Sequence, residues 1–163
     1  MEYYADRFKV AILEAVWLLF TITILALMVT LVEAGEYEEG LAAVEKEDYQ
    51  TAFAKWKPLA ENGHVKAQLG LGLIYLNGEG RIPKDNEEAE KWFKKAAEQG
   101  SLEAQLILGQ RYYKGVDFEK DMKKGFAIIN KLAEQDFAPA QFELGLIYQY
   151  PFIKPWNEKE AEK

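Results

Sequence analysis

Ala67-Gln68-Leu69-Gly70-Leu71-Gly72-Leu73-Ile74-Tyr75 recurs as Ala104-Gln105-Leu106-Ile107-Leu108-Gly109-Gln110-Arg111-Tyr112, and again as Ala140-Gln141-Phe142-Glu143-Leu144-Gly145-Leu146-Ile147-Tyr148. The steps are 37 and 36 residues, a spacing typical of stacked repeat arrays. A second marker moves in the same register: Leu59-Ala60-Glu61-Asn62-Gly63, Ala96-Ala97-Glu98-Gln99-Gly100 and Leu132-Ala133-Glu134-Gln135-Asp136. With residue frequencies of about 7% or less, chance agreement at five positions is on the order of one in a million per alignment.

Each copy reads as two helices. Ala67, Leu71 and Tyr75 fall at i, i+4 and i+8, one apolar stripe at helical spacing. Ala89, Trp92, Phe93, Ala96 and Ala97 form the stripe of a second helix, repeated by Gly125, Ile128, Ile129, Leu132 and Ala133. Gly72, Gly109 and Gly145 sit in mid-helix, where glycine costs about 1 kcal/mol relative to alanine, and the expected compensation is close approach of a neighbouring helix backbone. Asn77-Gly78-Glu79-Gly80 and Pro83 end the first helix. Asp85 with Glu88 reads as a capping box opening the second, and Gly63 and Gly100 read as C′ caps.

These residues resemble the Sel1-like repeats, a tetratricopeptide-like family. Its pattern, A-x-x-x-L-G-x-x-Y-x-x-G-x-G followed by D-x-x-x-A-x-x-W-x-x-K-A-A-E-x-G, is nearly complete from Ala67 to Gly100. The second copy departs at Asp117, Ile128 and Asp136, and the third has Tyr150-Pro151 in place of the glycine loop. The resemblance implies an all-α, right-handed α-α solenoid over residues 37–163, divided near 37–63, 64–100, 101–136 and an incomplete 137–163. It also implies adaptor work in protein complexes, with a protein or peptide as partner.

An apolar helix precedes the array. Ala15–Val32 carries no charge, with Arg7 and Lys9 on one flank and Glu33, Glu36, Glu38 and Glu39 on the other. At 1.5 Å per residue such a run covers about 27 Å, close to the roughly 30 Å of a bilayer core. Residues 1–34 therefore read either as a signal peptide cut before Gly35 or as an anchor retained in the membrane through residues 10–32. Both readings put the basic flank in the cytoplasm and the repeats outside it. At the other end, Asn157, Glu160, Ala161 and Lys163 repeat Asp85, Glu88, Ala89 and Lys91. That partial repeat is expected to continue in a longer array or to be covered by another subunit.

Little catalytic chemistry is on offer. There is no cysteine and one histidine, His64, placed at a helix junction, so a nitrogen-sulfur zinc set cannot form within one chain. Glu87, Glu88 and Glu90 read as a solvated helix start, and Gly78 and Gly80 as turn glycines. No catalytic, cofactor or metal residue is assigned. A net charge of −7 argues against nucleic acid as a partner. Trp56, Trp92, Phe93, Tyr75, Tyr112 and Tyr148 hold repeat positions and are expected in the core. Tyr113, Tyr150 and Trp156 read as off the pattern, hence as exposed anchors for a partner on the concave face. The leading function is a non-catalytic scaffold outside the cytoplasm. The alternative is an exported enzyme or ligand-binding protein acting on cell-envelope material, which the lack of cysteine disfavours because the best-known exported relatives are cysteine-rich.

Overall fold

The computed structural model describes the backbone of residues 2–149 and the side chains of residues 13–149. Among these there are seven helices and no strand: α1 Glu2–Glu45, α2 Tyr49–Glu61, α3 Val65–Asn77, α4 Asn86–Glu98, α5 Leu102–Lys114, α6 Met122–Glu134 and α7 Ala138–Gln149. Each helix packs chiefly on the next in sequence. The result is an all-α solenoid of helix pairs, quasi-one-dimensional as repeat arrays are.

The junctions are built from recurrent hydrogen bonds. Gln68, Gln105 and Gln141 each donate their side-chain amide to the carbonyl eight residues back, that of Ala60, Ala97 and Ala133, at 3.0, 3.1 and 3.3 Å. Each bond adds a side-chain donor to a last-turn carbonyl of α2, α4 or α6 that also accepts the backbone N–H of Gly63, Gly100 or Asp136. His64 Nδ1 accepts from Ala67 N at 3.1 Å, and Ser101 Oγ accepts from Ala104 N at 3.2 Å. The lone histidine is thus an N-cap interchangeable with serine. Gly63 and Gly100 adopt φ of +96° and +91° beyond the ends of α2 and α4, as expected of C′ positions.

The capping box is only half made. Asp85 Oδ1 accepts from Glu87 N and Glu88 N at 3.1 and 3.0 Å. Glu88 does not reach back but pairs with Lys91 at 2.7 Å. The reason is that the Asp85 N–H already donates to Tyr75 O at 2.9 Å, so it leaves nothing for Glu88 to accept.

The mid-helix glycines meet different neighbours. At Gly72 the space a Cβ would take is filled by the Phe93 ring, 2.5 Å from it, and at Gly70 by the Trp56 ring. A side chain, not a backbone, makes the approach there. Backbone approach does occur between α5 and α6: a Cβ on Gly125 would collide with Tyr113 N and Gly109 O. At Gly145 nothing among the described residues lies within 4 Å. Beside it on α7, Phe142 is 69% and Tyr148 52% exposed.

Asp117 stands where the repeat pattern has glycine, and it keeps the left-handed backbone, with φ +70°. Its carboxylate is held by Lys84 from the preceding inter-helix loop and by Arg111 at 2.5 and 2.7 Å. These two ion pairs compensate the strain of a side chain in that region and tie successive loops together.

α1 is continuous through the boundary between the apolar segment and the array. Its Leu13–Val32 portion is unburied, with Trp17 68% and Leu25 65% exposed, so it is not a core helix of the globular part. Further along the same helix, Tyr37, Leu41 and Val44 pack on the first core cluster with Trp56, Leu59 and Leu71. Trp56 Nε1 donates to Tyr37 O at 3.2 Å.

Helix glycines with and without a neighbour should respond oppositely to alanine. Gly125→Ala is expected to lose roughly 3 kcal/mol, because backbone atoms cannot yield as a flexible side chain can. Gly145→Ala is expected to gain about 0.5–1 kcal/mol from helix propensity alone. Urea unfolding of the full chain in non-ionic detergent, followed by circular dichroism, measures both.

Candidate functional site

The tyrosine that ends each first helix meets the same position of the preceding second helix. Phe53, Glu90 and Phe126 occupy that position, as each lies seven residues before the alanine of the second marker. Phe53 and Tyr75 pack edge to face at 5.5 Å, and Phe126 and Tyr148 do so at 6.3 Å. In the middle copy the aromatic is replaced by Glu90, which accepts a hydrogen bond from Tyr112 Oη at 2.6 Å. Lys94, one turn on, closes an ion pair with Glu90 at 2.6 Å. Lys124 from the first turn of α6 places its ammonium 4.0 Å from the Tyr112 ring centroid, a cation-π contact.

This departure lines a cleft of about 690 Å³, walled by Glu90 and Lys94 of α4, Tyr112 of α5 and the segment 119–124 leading into α6. The cleft opens between the second helices of two successive pairs. A shallower depression of about 350 Å³ continues along α4 past Glu87 and Lys91.

The electrostatics follow from burial and pairing. Burial of Glu90 opposes ionisation, but the hydrogen bonds from Lys94 and Tyr112 outweigh it and hold the carboxyl below its usual value. Burial, and then the Glu90 carboxylate beside it, push the Tyr112 phenol well above the ordinary range. The pair is therefore a neutral phenol donating to a charged carboxylate at physiological pH. Among the described residues no group of three or more His, Cys, Asp and Glu side chains gathers to hold a metal ion.

The sequence-expected site residues are not brought together. Tyr113 is 3% exposed, so it is not the exposed anchor expected of it. It packs with Leu106, Ile129 and Leu132, and burial raises its phenol. The register explains why: Tyr113 is the counterpart of Leu76, itself 4% exposed. Tyr150 and Trp156 lie outside the described residues. Glu90, grouped above with Glu87 and Glu88 as a solvated helix start, is instead the part-buried acceptor of the cleft. Its alignment with Phe53 and Phe126 was the signal that could have singled it out.

The Sel1 repeat family model matches residues 33–64, 65–101, 102–137 and 138–163. The chain belongs to the Sel1 repeat family. Two solved Sel1-fold structures resemble it. One is c5321, described as a protective antigen present in uropathogenic Escherichia coli strains displaying an SLR fold. It is 32% identical, with a TM-score of 0.64, over 71% of this chain and 26% of that one. The other is a Sel1 repeat protein from Oxalobacter formigenes, 31% identical, with a TM-score of 0.61, over 69% of this chain and 44% of that one. The chain thus spans less than half the length of either. Among curated proteins no significant match is found.

The cleft pair makes a pH signature. Because Glu90 titrates lower folded than at its ordinary 4.5, its contribution is present above that value and is lost as pH falls through the native one. Glu90→Gln should therefore lose less stability than the native chain between pH 6 and pH 3, read as urea midpoints across a pH series. Other carboxylates titrate in both proteins and cancel in the difference. At neutral pH, Tyr112→Phe should cost about 1–2 kcal/mol for the lost charged hydrogen bond.

Proposed function

We propose that this Sel1 repeat protein is a non-catalytic interaction scaffold, displayed on the outer side of the cytoplasmic membrane and tethered there by α1 when that helix is retained. Sel1 repeats generally mediate protein-protein interactions, and the observation that carries the reading is the array itself. The family model matches four repeats, and the described helices of these repeats stack into an extended surface whose buried residues are consumed by packing. The polar side chains of the described residues are used mainly as caps, loop ties and surface pairs.

The membrane side rests on α1. Leu13–Glu45 has the length and composition to cross a bilayer, and its apolar portion is unburied among the described residues. Arg7 and Lys9 precede that stretch and Glu33, Glu36, Glu38 and Glu39 follow it, a charge asymmetry that supports repeats on the outer side. The description of one structural relative as a protective antigen fits the same side. The fold serves either fate of the segment. A cut before Gly35 leaves Tyr37, Leu41 and Val44 on the array, where they close the first repeat against Trp56. Tyr150 and Trp156, outside the described residues, remain proposed partner contacts.

The absence of cysteine makes the test clean. A single Glu98→Cys substitution, on an exposed turn of α4, should react with a membrane-impermeant maleimide on intact cells or spheroplasts. Labelling only after lysis would reverse the topology. The same cysteine carrying a benzophenone should yield a discrete crosslinked adduct with a cellular protein, and recovery of uncrosslinked chain alone would count against a scaffold. Intact mass of the adduct-free protein reports whether residues 1–34 are kept.

A further inference from the structure

The peptide bond before Gly35 joins accessible side chains to an unsuitable backbone. Val32 is 62% exposed, Ala34 and Gly35 are exposed, and a Cβ on Gly35 would meet nothing within 4 Å. Nothing among the described residues covers the site. An endopeptidase, however, takes its substrate as an extended strand, which is why nicking concentrates in exposed loops. Residues 32–36 lie instead in the interior of the 44-residue helix α1.

Helical bonding fixes what extension has to break. The carbonyls of Glu33, Ala34, Gly35 and Glu36 accept from the N–H groups of Tyr37, Glu38, Glu39 and Gly40, four residues on. Three of those four donor residues are held by the first repeat. The Trp56 ring fills the space a Cβ on Gly40 would take, stacks on Tyr37 at 5.8 Å and donates its Nε1–H to Tyr37 O at 3.2 Å. Tyr37 also meets the His64 ring at 4.9 Å, and Lys55 pairs with Glu39 at 2.6 Å. On the other side, Ala15–Val32 in lipid keeps its own backbone bonds, because nothing there replaces them. Helices fray from their ends, and this joint has none. Opening it means breaking bonds in the middle of a continuous helix or unpacking the first repeat.

We infer that the Ala34–Gly35 bond is a cleavage site gated by the first repeat, open to a membrane-side endopeptidase while the chain is unfolded and closed once Trp56 packs on residues 37–40. This rests on the reading of α1 as a membrane segment and states how its two fates arise. Hydrolysis breaks the bond between the Ala34 carbonyl carbon and the Gly35 nitrogen, water supplying hydroxide to the new carboxyl group and a proton to the new amine. Anchored and released forms are therefore set by a race between that hydrolysis and closure of the first repeat. A chain that has folded with its anchor keeps it.

The test is limited proteolysis of the full chain in non-ionic detergent by the glutamyl endopeptidase Glu-C, with the first cuts located by intact mass. Glu33, Glu36, Glu38 and Glu39 surround the Ala34–Gly35 bond within α1, whereas Glu47 and Glu119 lie in loops outside the helices. The native chain should be cut after Glu47 and Glu119 at least tenfold faster than after any of the four joint residues. Trp56→Ala should raise the rate at the joint at least tenfold, because cleavage follows the population of the open form, while the Glu119 rate changes less than twofold. Should that variant lose its helical circular dichroism signal, Tyr37→Ala should raise the joint rate at least threefold with the signal kept. Equal native rates at joint and loops overturn the proposal. So does a joint that stays protected in the variants, since the micelle or the helix alone would then be the shield. Protection that depends on Trp56, together with maleimide labelling of the residue 98 cysteine only after lysis, would keep the gate and remove the outer placement. An unprotected joint alongside labelling on intact cells would do the reverse.

Discussion

The fold depends on pairing an absent side chain on one helix with a large or close neighbour on the next. Gly70 receives the ring of Trp56 and Gly72 that of Phe93, while Gly109 and Gly125 let two backbones meet. Each glycine gives up helix propensity, and the neighbour's buried surface offsets the loss. Phe93 is wholly buried and Trp56 is 5% exposed, and full burial of such a side chain is worth roughly 1.5–3 kcal/mol. The exchange recurs from α2 through α4 and again between α5 and α6, and every helix packs on the next in sequence.

Because the framework is so regular, a single changed register position has local and legible consequences. Phe53 and Phe126 keep their tyrosines in an apolar edge-to-face pair. Glu90 converts the same place into a charged hydrogen bond, and that conversion needs Lys94 and the Tyr112 hydroxyl to make a part-buried carboxylate tolerable. The Lys124 ammonium over the Tyr112 ring extends the network to the next helix pair. A departure from repeat identity thus becomes a departure in surface chemistry, while the backbone path on either side is unchanged. Glu143 makes a comparable change on α7, where it stands in the place of Gly70 and Ile107. It is nearly buried, accepting from Gln110 at 3.0 Å and pairing with Lys114 at 2.7 Å, which pins adjacent first helices by polar bonds where the earlier copies use packing.

The helices, their junctions and most of the core were legible in the sequence because each is written three times. Ala67, Ala104 and Ala140 are all wholly buried, as one stripe in one register requires. Reading failed where residues were judged singly. Tyr113 reads as off the pattern when it is compared with the repeat tyrosines alone, yet in register it is the counterpart of Leu76. The register with Leu76 shows that both faces of that last turn are covered. Glu90 reads as part of an acidic run, although helical geometry turns it away from Glu88, two residues earlier, and toward Tyr112. The half-formed capping box fails for a tertiary reason: the Asp85 N–H is consumed by the Tyr75 carbonyl, a bond across the inter-helix loop that residue spacing does not reveal.

The apolar helix and the array meet without a linker, and this sets what a retained anchor would do. A flexible tether would let the solenoid tumble above a membrane, with any face available to a partner. α1 instead passes from its unpartnered apolar stretch directly into Tyr37, Leu41 and Val44, which are packed against α2. Bending at the surface would have to break helix hydrogen bonds or occur at Gly35, the one glycine of the join, which has no neighbour within 4 Å. The Tyr37–Trp56 stack and the Trp56 Nε1 bond to Tyr37 O lie just beyond that point, so the array turns with its helix. A lipid-embedded α1 therefore restricts the orientations of the α4–α6 cleft relative to the bilayer. Removal of residues 1–34 frees the orientation while leaving the cleft unchanged, so the two fates of the segment differ in geometry of presentation and not in the chemistry presented.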